Sequence, residues 1–226
     1  MPFPKIEIDH IFVFLDPEEN QDPEEARLLK QAGFVESYRR DHPGQGTTNI
    51  CYCFDNAYLE LLWVKDEAAA RSEVISKTRL AERALWKANG NSPFGIALRP
   101  ELPIQTWAYC PPYLPQGISI PVACSSMDAK QPFIFNSIGG KRPDSWSNNK
   151  DLKRQNSAGF SEIKSVELTI PETNPPSEDL VTLEQSGVLN LTTNAAHHSM
   201  SLSLTSPDGK ITHFLQLPSF EIIPAD

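Results

Sequence analysis

The stretch IEIDHIFVFL, residues 6–15, decides the fold because apolar residues occupy both of its faces. A strand of this kind is typical of a sheet that is covered on both sides. Side chains alternate along a strand, so Ile11, Val13 and Leu15 share one face. His10 lies on the other face among phenylalanines. We therefore predict a central strand that carries one buried histidine.

Four further elements complete a βαβββ unit over residues 1–65. Asp22 and Pro23 favour a helix start, and Gly33 is a typical helix end. Three strands are predicted beyond that glycine, and the last of them, residues 58–64, carries Glu60. The unit therefore opens on a strand with a histidine and closes on a strand with a glutamate.

The same order of elements returns over residues 163–226. An alternating strand at 163–170 is followed by a helix that Ser177 caps and Gly187 ends, and then by three more strands. Equal order and nearly equal spacing indicate a duplicated module. We predict an α+β fold, with tandem βαβββ modules whose cupped, mixed or antiparallel sheets surround a central cavity.

The segment between the two modules, residues 66–162, is predicted to be a connection. It reads as one exposed helix at 66–89, three short strands and a loop at 137–161 that is rich in Gly, Asn, Ser and Lys. Such a loop is a candidate mobile segment. Whether it closes over a site as a lid stays open.

Strand parity suggests which side chains face the cavity. If both sheets curl around one interior, it holds His10, Glu60, Glu167 and Gln216 among aromatic side chains. An apolar concavity with a few convergent polar groups is typical of a small-molecule site. A histidine and a glutamate on neighbouring strands are also a common donor pair for a divalent metal.

Composition excludes several classes of protein. The net charge of -9 argues against a nucleic-acid or anionic membrane surface, because both favour clustered Lys and Arg. The N-terminal residues lack the apolar core of a signal peptide, so we expect a cytoplasmic protein. The sequence contains no phosphate-binding loop, dinucleotide fingerprint, nucleophile elbow or zinc-protease helix motif.

Three motifs make a family resemblance specific. They are IDHI at 8–11, HPGQGTTN at 42–49 and YLEL at 58–61, and PFIF at 132–135 is similar to a later strand signature. Together they resemble the glyoxalase-like branch of the vicinal oxygen chelate superfamily. The resemblance implies paired βαβββ modules around a divalent metal, with ligands from the first and last strands of each module. Its residue matches here are His10 and Glu60.

The second module departs from the family pattern. Its inward positions are Ser165 or Glu167, and Gln216, instead of a histidine and a glutamate. A mixed site of His10, Glu60 and Gln216 is the metal set that follows, with Zn, Fe, Mn or Ni as the ion, or no cofactor at all. A metal with only two good protein ligands would be held weakly.

Other candidate residues each have a plainer interpretation. His42, Gly44, Gly46 and Asn49 lie in a loop whose backbone could approach an anion closely, or which is simply a tight connection. Phe12 and Trp107 could line the cavity, or pack in the core. In the same way, His10 could be a hydrogen-bonded core residue, and Glu60 a surface residue of an edge strand.

Two functions remain open from the sequence. The first is a metal-dependent enzyme of lyase, isomerase or dioxygenase type on a small oxygenated substrate, with Glu60 or Glu167 moving a proton. The second is a metal-free protein that binds a small amphipathic molecule in the same cavity. Either way the expected partner is a small molecule, not nucleic acid or membrane, and a homodimer stays open.

Overall fold

The structure is a computed structural model that describes residues 5–18, 21–100, 104–147 and 151–225. These ranges contain thirteen strands and six α-helices in two mixed sheets, which confirms the predicted α+β class. The strands are β1 Glu7–Phe14, β2 Tyr38–His42, β3 Thr47–Cys53, β4 Tyr58–Val64, β5 Phe94–Arg99, β6 Thr106–Tyr109, β7 Ile120–Ala123, β8 Phe133–Asn136, β9 Ile163–Pro171, β10 Asn190–Ala195, β11 Ser199–Thr205, β12 Ile211–Leu217 and β13 Glu221–Pro224. The helices are α1 Glu24–Gln31, α2 Glu67–Ala70, α3 Glu73–Ser76, α4 Leu80–Ala84, α5 Trp86–Asn89 and α6 Glu178–Gln185.

The first sheet has eight strands in the order β2-β3-β4-β1-β5-β8-β7-β6. Its two halves have the same strand-pairing pattern, because β1 pairs parallel with β4, and β5 pairs parallel with β8. The halves meet where β1 and β5 run antiparallel. Residues 94–136 therefore complete the sheet of the first unit, although the sequence analysis assigned them to a connection.

The second half of this sheet is hard to recognise in the sequence for a physical reason. Strands β6, β7 and β8 have only four residues each, too few for a clear alternation. Six residues, 100–105, separate β5 from β6, which is too short for the crossover helix of a βαβββ unit. The second half of the sheet therefore has no room for the crossover helix, the element by which a βαβββ unit is most easily recognised in a sequence.

The second sheet has five strands in the order β10-β9-β11-β12-β13. The predicted βαβββ order is present, since Ser177 caps α6 by accepting a hydrogen bond from the Leu180 amide, and one more strand follows. However, β9 takes β10 as its parallel neighbour, whereas β1 takes the last strand of its unit. The two units thus share an element order but differ in strand pairing.

One hydrophobic core joins both sheets. Ile11 and Val13 of β1 belong to the same buried cluster as Leu168 of β9, together with Leu29 of α1 and Leu183 of α6. The face of β1 that was predicted to lie under the first helix is therefore buried as expected. The opposite face, which carries His10, is left to form a separate surface.

The eight-stranded sheet is strongly curled. Its edge strands β2 and β6 would lie roughly 33 Å apart in a flat sheet, given strand spacings of ~4.8 Å. Yet the Tyr109 hydroxyl at the end of β6 donates a hydrogen bond of 2.7 Å to the side-chain oxygen of Gln45, in the turn after β2. The predicted concave surface is therefore present, but the eight-stranded sheet forms it alone.

The predicted single helix at 66–89 is wrong, because the chain forms four short helices there, α2 to α5. Arg79 adopts a left-handed conformation with φ of 57° and interrupts the run. The apolar spacing of one helix would turn four of its positions inward, but only Thr78 and Ala81 are buried, whereas Val74 and Leu85 are 59% and 49% exposed. Gly90 ends the segment as expected, with φ of 71°. Within the described ranges, none of the helices has the length and apolar content needed to cross a membrane.

Candidate functional site

The concave face of the eight-stranded sheet encloses a cavity of about 290 Å³. Its polar wall comes from the first half of the sheet and consists of His10, Tyr38, Arg40, His42, Gln45, Asn49, Tyr58 and Glu60. The rest of its lining is mainly apolar and consists of Phe12, Leu62, Leu80, Tyr109, Tyr113, Leu114, Ile120, Phe133, Phe135 and Ile138, together with Asn136 and Ser137. A larger groove of about 900 Å³ beside α1 is lined mostly by exposed charged side chains.

His10 is oriented by a carboxylate that the sequence analysis did not select. The Asp9 carboxylate lies 2.8 Å from Nδ1 of His10, and its second oxygen accepts a hydrogen bond of 3.0 Å from Arg99. A carboxylate only accepts hydrogen bonds, so Nδ1 carries the hydrogen and Nε2 is the free nitrogen. All three side chains are buried. His10 is thus fixed in one tautomer, with Nε2 facing the cavity.

An irregularity in β1 makes this contact possible. Opposite β5, Ile8 pairs with Leu98 and His10 pairs with Ala97, so Asp9 is an extra residue in the strand. Strict alternation would place Asp9 and His10 on opposite faces, whereas a bulge can bring neighbouring side chains together. The Asp9–His10 pair therefore depends on backbone irregularity that no periodic pattern predicts.

Glu60 faces the same cavity from the next strand. Its Oε1 accepts a hydrogen bond of 2.6 Å from the Asn49 side-chain amide, and its Oε2 lies 3.8 Å from Nε2 of His10. This separation is longer than a hydrogen bond, so a ligand atom can contact both groups. His10 and Glu60 are each 7% exposed, which excludes the surface interpretation of Glu60.

Aromatic side chains support the His10 ring. Tyr58 stacks on it with a centroid distance of 4.3 Å and an interplanar angle of 12°. Phe135 meets it edge-on at 5.3 Å. Burial raises the pKa of Tyr58 well above its usual value, so this phenol is neutral at pH 7. The imidazole is therefore held in a dry aromatic setting that opens only toward the cavity.

His42 belongs to a hydrogen-bonded chain at the rim of the cavity. Its Nδ1 lies 2.9 Å from the Thr47 hydroxyl, which also accepts a hydrogen bond of 2.7 Å from Gln45. Burial lowers the pKa of His42, so the ring is neutral at pH 7. His42 and Asn49 both line the cavity, and their role in substrate binding stays a prediction.

Gly44 and Gly46, in the same loop, allow the backbone to pack closely and to turn. A Cβ on Gly44 would come within 2.7 Å of Pro112, and a Cβ on Gly46 would lie 2.2 Å from the backbone oxygen of Asp66. Both glycines also have positive φ values, 78° and 81°. Their close contacts are therefore with the chain itself, and neither glycine lines the cavity.

Phe12 and Trp107, the predicted aromatic lining, have different places. Phe12 lines the cavity, and its ring covers Gly95 on the neighbouring strand. Trp107 lies outside the cavity, where the ammonium of Lys77 sits 4.3 Å from its ring centroid. The packing interpretation therefore holds for Trp107.

Replacement of Gly95 by alanine is expected to distort the cavity. The new Cβ would lie 2.0 Å from the Phe12 ring, so the ring has to move toward the cavity. Overpacking of this kind costs about 1–3 kcal/mol in unfolding free energy. Urea unfolding of Gly95→Ala measures the loss, and the additional substitution Phe12→Leu is expected to restore part of it. An unfolding free energy equal to that of the wild type would contradict the predicted clash.

Glu167 and Gln216 do not reach this cavity, so the predicted shared interior is wrong. They lie on the second sheet, where Glu167 pairs with Ser201 and Gln216 donates a hydrogen bond of 2.9 Å to the Ser201 hydroxyl. Glu167 is exposed and Gln216 is half-buried. Parity correctly placed the two on one face, but that face is the polar outer side of the second sheet.

The residues present do not fit a complete metal chelate. His10 and Glu60 supply two donors, and Asn49 already occupies one oxygen of the carboxylate. On the matching face, strands β5 and β8 carry Gly95, Ala97, Phe133 and Phe135, none of which has a metal-ligating side chain. Over the described ranges, no three His, Cys, Asp or Glu side chains converge to hold a metal ion.

Several lining residues were missed by sequence reasoning. Tyr38 and Arg40 lie on β2, where both line the cavity. The short strand β8 contributes Phe133 and Phe135, which lie in the motif that resembles the family's later strand signature. That motif was the available signal that residues 132–135 belong to the first sheet.

Comparison with known proteins gives a family match over part of the chain. The model of a family described as glyoxalase-like domain matches residues 8–107, a span that runs from β1 through β5 into β6. No curated protein matches the chain. A solved structure, described as a hypothetical protein from Staphylococcus aureus, is similar at 13% identity and a TM-score of 0.43, covering 93% of this chain and 85% of that one. Residues 8–107 thus match a glyoxalase-like domain family, which belongs to the vicinal oxygen chelate superfamily.

Proposed function

We propose that this chain is a proton-transfer enzyme, of isomerase or lyase type, that acts on a small oxygenated molecule without a metal. The observation that carries the proposal is the 3.8 Å gap between Nε2 of His10 and Oε2 of Glu60 inside the cavity. Two proton carriers at this separation can address neighbouring atoms of one bound molecule.

His10 is equipped to accept a proton. Burial raises the pKa of Asp9, but hydrogen bonds from His10 and Arg99 outweigh that effect and hold the pKa below its usual value. Asp9 is therefore an anion at neutral pH, and it stabilises the imidazolium that forms when Nε2 takes a proton. The contact with Arg99 keeps the carboxylate in place during that change.

Glu60 is equipped to complete the transfer. Asn49 holds one of its oxygens, so the other is presented to the cavity in a fixed direction. One of the two groups removes a proton from the carbon beside a carbonyl, and the electron pair of the broken C–H bond moves toward the carbonyl oxygen. The group that took the proton then returns it to a neighbouring atom, or gives it to a neighbouring substituent that leaves, while the other group accepts a hydrogen bond from the substrate. The first outcome is an isomerisation and the second an elimination.

The dioxygenase form of the sequence prediction is not part of this proposal. That chemistry needs a redox metal, and Zn, Fe, Mn or Ni would find only the His10 and Glu60 donors here, for the reasons given above. Glu167, the second proton carrier predicted from the sequence, has no part either, because it lies on the other sheet.

Deuterium exchange tests the proposal directly. The protein is incubated in D₂O with phenylpyruvate and, separately, with the uncharged ketone phenylacetone, and loss of the C–H signal beside the carbonyl is followed by proton NMR. We expect exchange above the buffer rate with at least one compound, and we expect it to fall in Glu60→Gln. Exchange at the buffer rate with both compounds would overturn the proton-transfer function.

A binding protein is the second candidate function. The observation that favours it is the aromatic and aliphatic wall opposite His10, which suits the apolar part of a small amphipathic molecule. This function predicts saturable binding of such compounds with no exchange at carbon. The same NMR samples distinguish the two functions, because bound-state line broadening is seen whether or not deuterium enters.

A further inference from the structure

We infer that Arg40, whose side chain is exposed at the rim of the same cavity, is an anion site, so the ligand is a small aryl carboxylate. The carboxylate binds the Arg40 guanidinium, and the aromatic ring rests on Phe133 and Phe135. This inference rests on the proposed function only for the choice of cavity. It adds the chemical class of the ligand.

Arg40 is set apart from the other arginines of the chain. Seven of the nine form ion pairs with carboxylates, namely Arg27, Arg39, Arg71, Arg79, Arg99, Arg142 and Arg154. Arg83 donates to backbone carbonyls. Over the described ranges Arg40 has neither kind of partner for its guanidinium, although acidic residues outnumber basic ones by 29 to 20. Its charge is therefore available to a ligand.

The backbone of β2 aims Arg40 at the cavity. Its amide donates a hydrogen bond of 2.9 Å to the Asn49 side chain, the same residue that holds Glu60. Alternation along the strand places Arg40 on the concave face and Arg39 on the outer face, where Arg39 pairs with Glu36 and Asp22. Arg40 and Glu60 start two strands apart, roughly 10 Å at the backbone, and the long arginine side chain spans much of that distance.

The residues around Arg40 favour the binding of an anion. His42 and Tyr113 line the same part of the cavity, and their rings lie 5.0 Å apart. Burial lowers the pKa of His42 and raises that of Tyr113, so both are neutral at pH 7. The guanidinium thus brings a fixed positive charge to a rim of neutral hydrogen-bonding groups. A planar carboxylate matches its paired N–H groups.

The size and the apolar wall define the rest of the ligand. At ~30 Å³ for each water-sized unit, a cavity of about 290 Å³ holds on the order of ten non-hydrogen atoms. Phe133 and Phe135 face the polar wall with ring centroids 5.5 Å apart. An aromatic ring with a short carboxylate arm fits the cavity volume. Its ring matches the apolar part of the lining and its carboxylate matches the polar part.

Binding of phenylacetate and of its uncharged isostere phenylacetamide tests the inference. Titrations are followed by line broadening of the ligand in proton NMR, with the wild type, Arg40→Gln and Arg39→Gln. We expect the wild type to prefer phenylacetate, and Arg40→Gln to weaken its binding at least 10-fold without changing that of phenylacetamide. Arg39→Gln lies on the outer face of the same strand and is expected to match the wild type.

Two results would overturn the inference. One is equal binding of phenylacetate and phenylacetamide by the wild type, or no binding of either. The other is equal loss of phenylacetate binding in Arg40→Gln and Arg39→Gln, which would indicate an unspecific effect of charge. The proposed function is judged separately, because exchange into phenylacetone does not require Arg40. Loss of carboxylate preference with intact phenylacetone exchange would remove the anion site alone.

Discussion

Replacement of His10 by glutamine is expected to lower the rate of deuterium exchange by about 10²–10⁴-fold, the usual contribution of a positioned acid or base. Glutamine can still contact Asp9, but it cannot take up a proton at the position of Nε2. Binding is expected to change much less, because the ring of His10 supplies only a small part of the cavity wall. Exchange kinetics and phenylacetate titration measure the two effects on the same samples.

A matched control separates chemistry from folding. His197 is exposed, lies between β10 and β11 and is not among the residues that line the cavity, so His197→Gln should exchange at the wild-type rate. Asp9→Asn is expected to act in the same direction as His10→Gln, because an amide does not stabilise the imidazolium as a carboxylate does. A His10→Gln variant that exchanges as fast as the wild type would remove His10 from the mechanism.

Replacement of Arg83 by methionine is expected to cause the largest loss of stability. The Arg83 side chain is fully buried and donates to four backbone carbonyls, those of Ser126, Asp128, Ala129 and Gln131. Burial lowers the pKa of its guanidinium to about 9. The Ala129 and Asp128 oxygens keep backbone donors, but methionine leaves those of Ser126 and Gln131 without a donor. At about 1–3 kcal/mol for each unsatisfied buried group, we expect a loss of about 2–6 kcal/mol.

Thermal and urea unfolding check this expectation. At about 2–4 °C per kcal/mol for a chain of this length, the melting temperature should fall by roughly 10 °C. The matched control is Arg71→Met, which removes an exposed ion pair with Glu67 and should cost less than about 1 kcal/mol. Equal losses in the two variants would show that the carbonyl contacts of Arg83 do not stabilise the fold.

Long, regular elements were predictable from the sequence. The prediction for β4 at 58–64 matches its observed bounds, and the β1 prediction extends one residue beyond each observed end, because continuous apolar alternation determines a central strand. The second half of the sheet was not predictable in this way. Its strands β6, β7 and β8 are short, and only six residues separate β5 from β6, so the symmetry is visible only in the strand pairing.

The candidate site was predictable only in part, for similar reasons. His10, Glu60, Phe12, His42 and Asn49 lie on regular strand positions or in the loop motif, and the structure brings all five to one cavity. Asp9 was not identified as a site residue because a bulge, and not alternation along the strand, directs its side chain toward His10. Glu167 and Gln216 were misplaced because parity within a sheet does not reveal which other sheet, if any, that face meets.

The most direct test of a metal-free proton transfer at His10 and Glu60 is exchange measured on exhaustively chelated protein. Metal content is determined by plasma mass spectrometry before and after chelation, and exchange is measured on both samples and on Glu60→Gln. The account predicts that the wild type retains its rate when no metal remains, and that Glu60→Gln is slow in both states. A rate that vanishes on chelation and returns with one equivalent of Zn, Fe, Mn or Ni would contradict it.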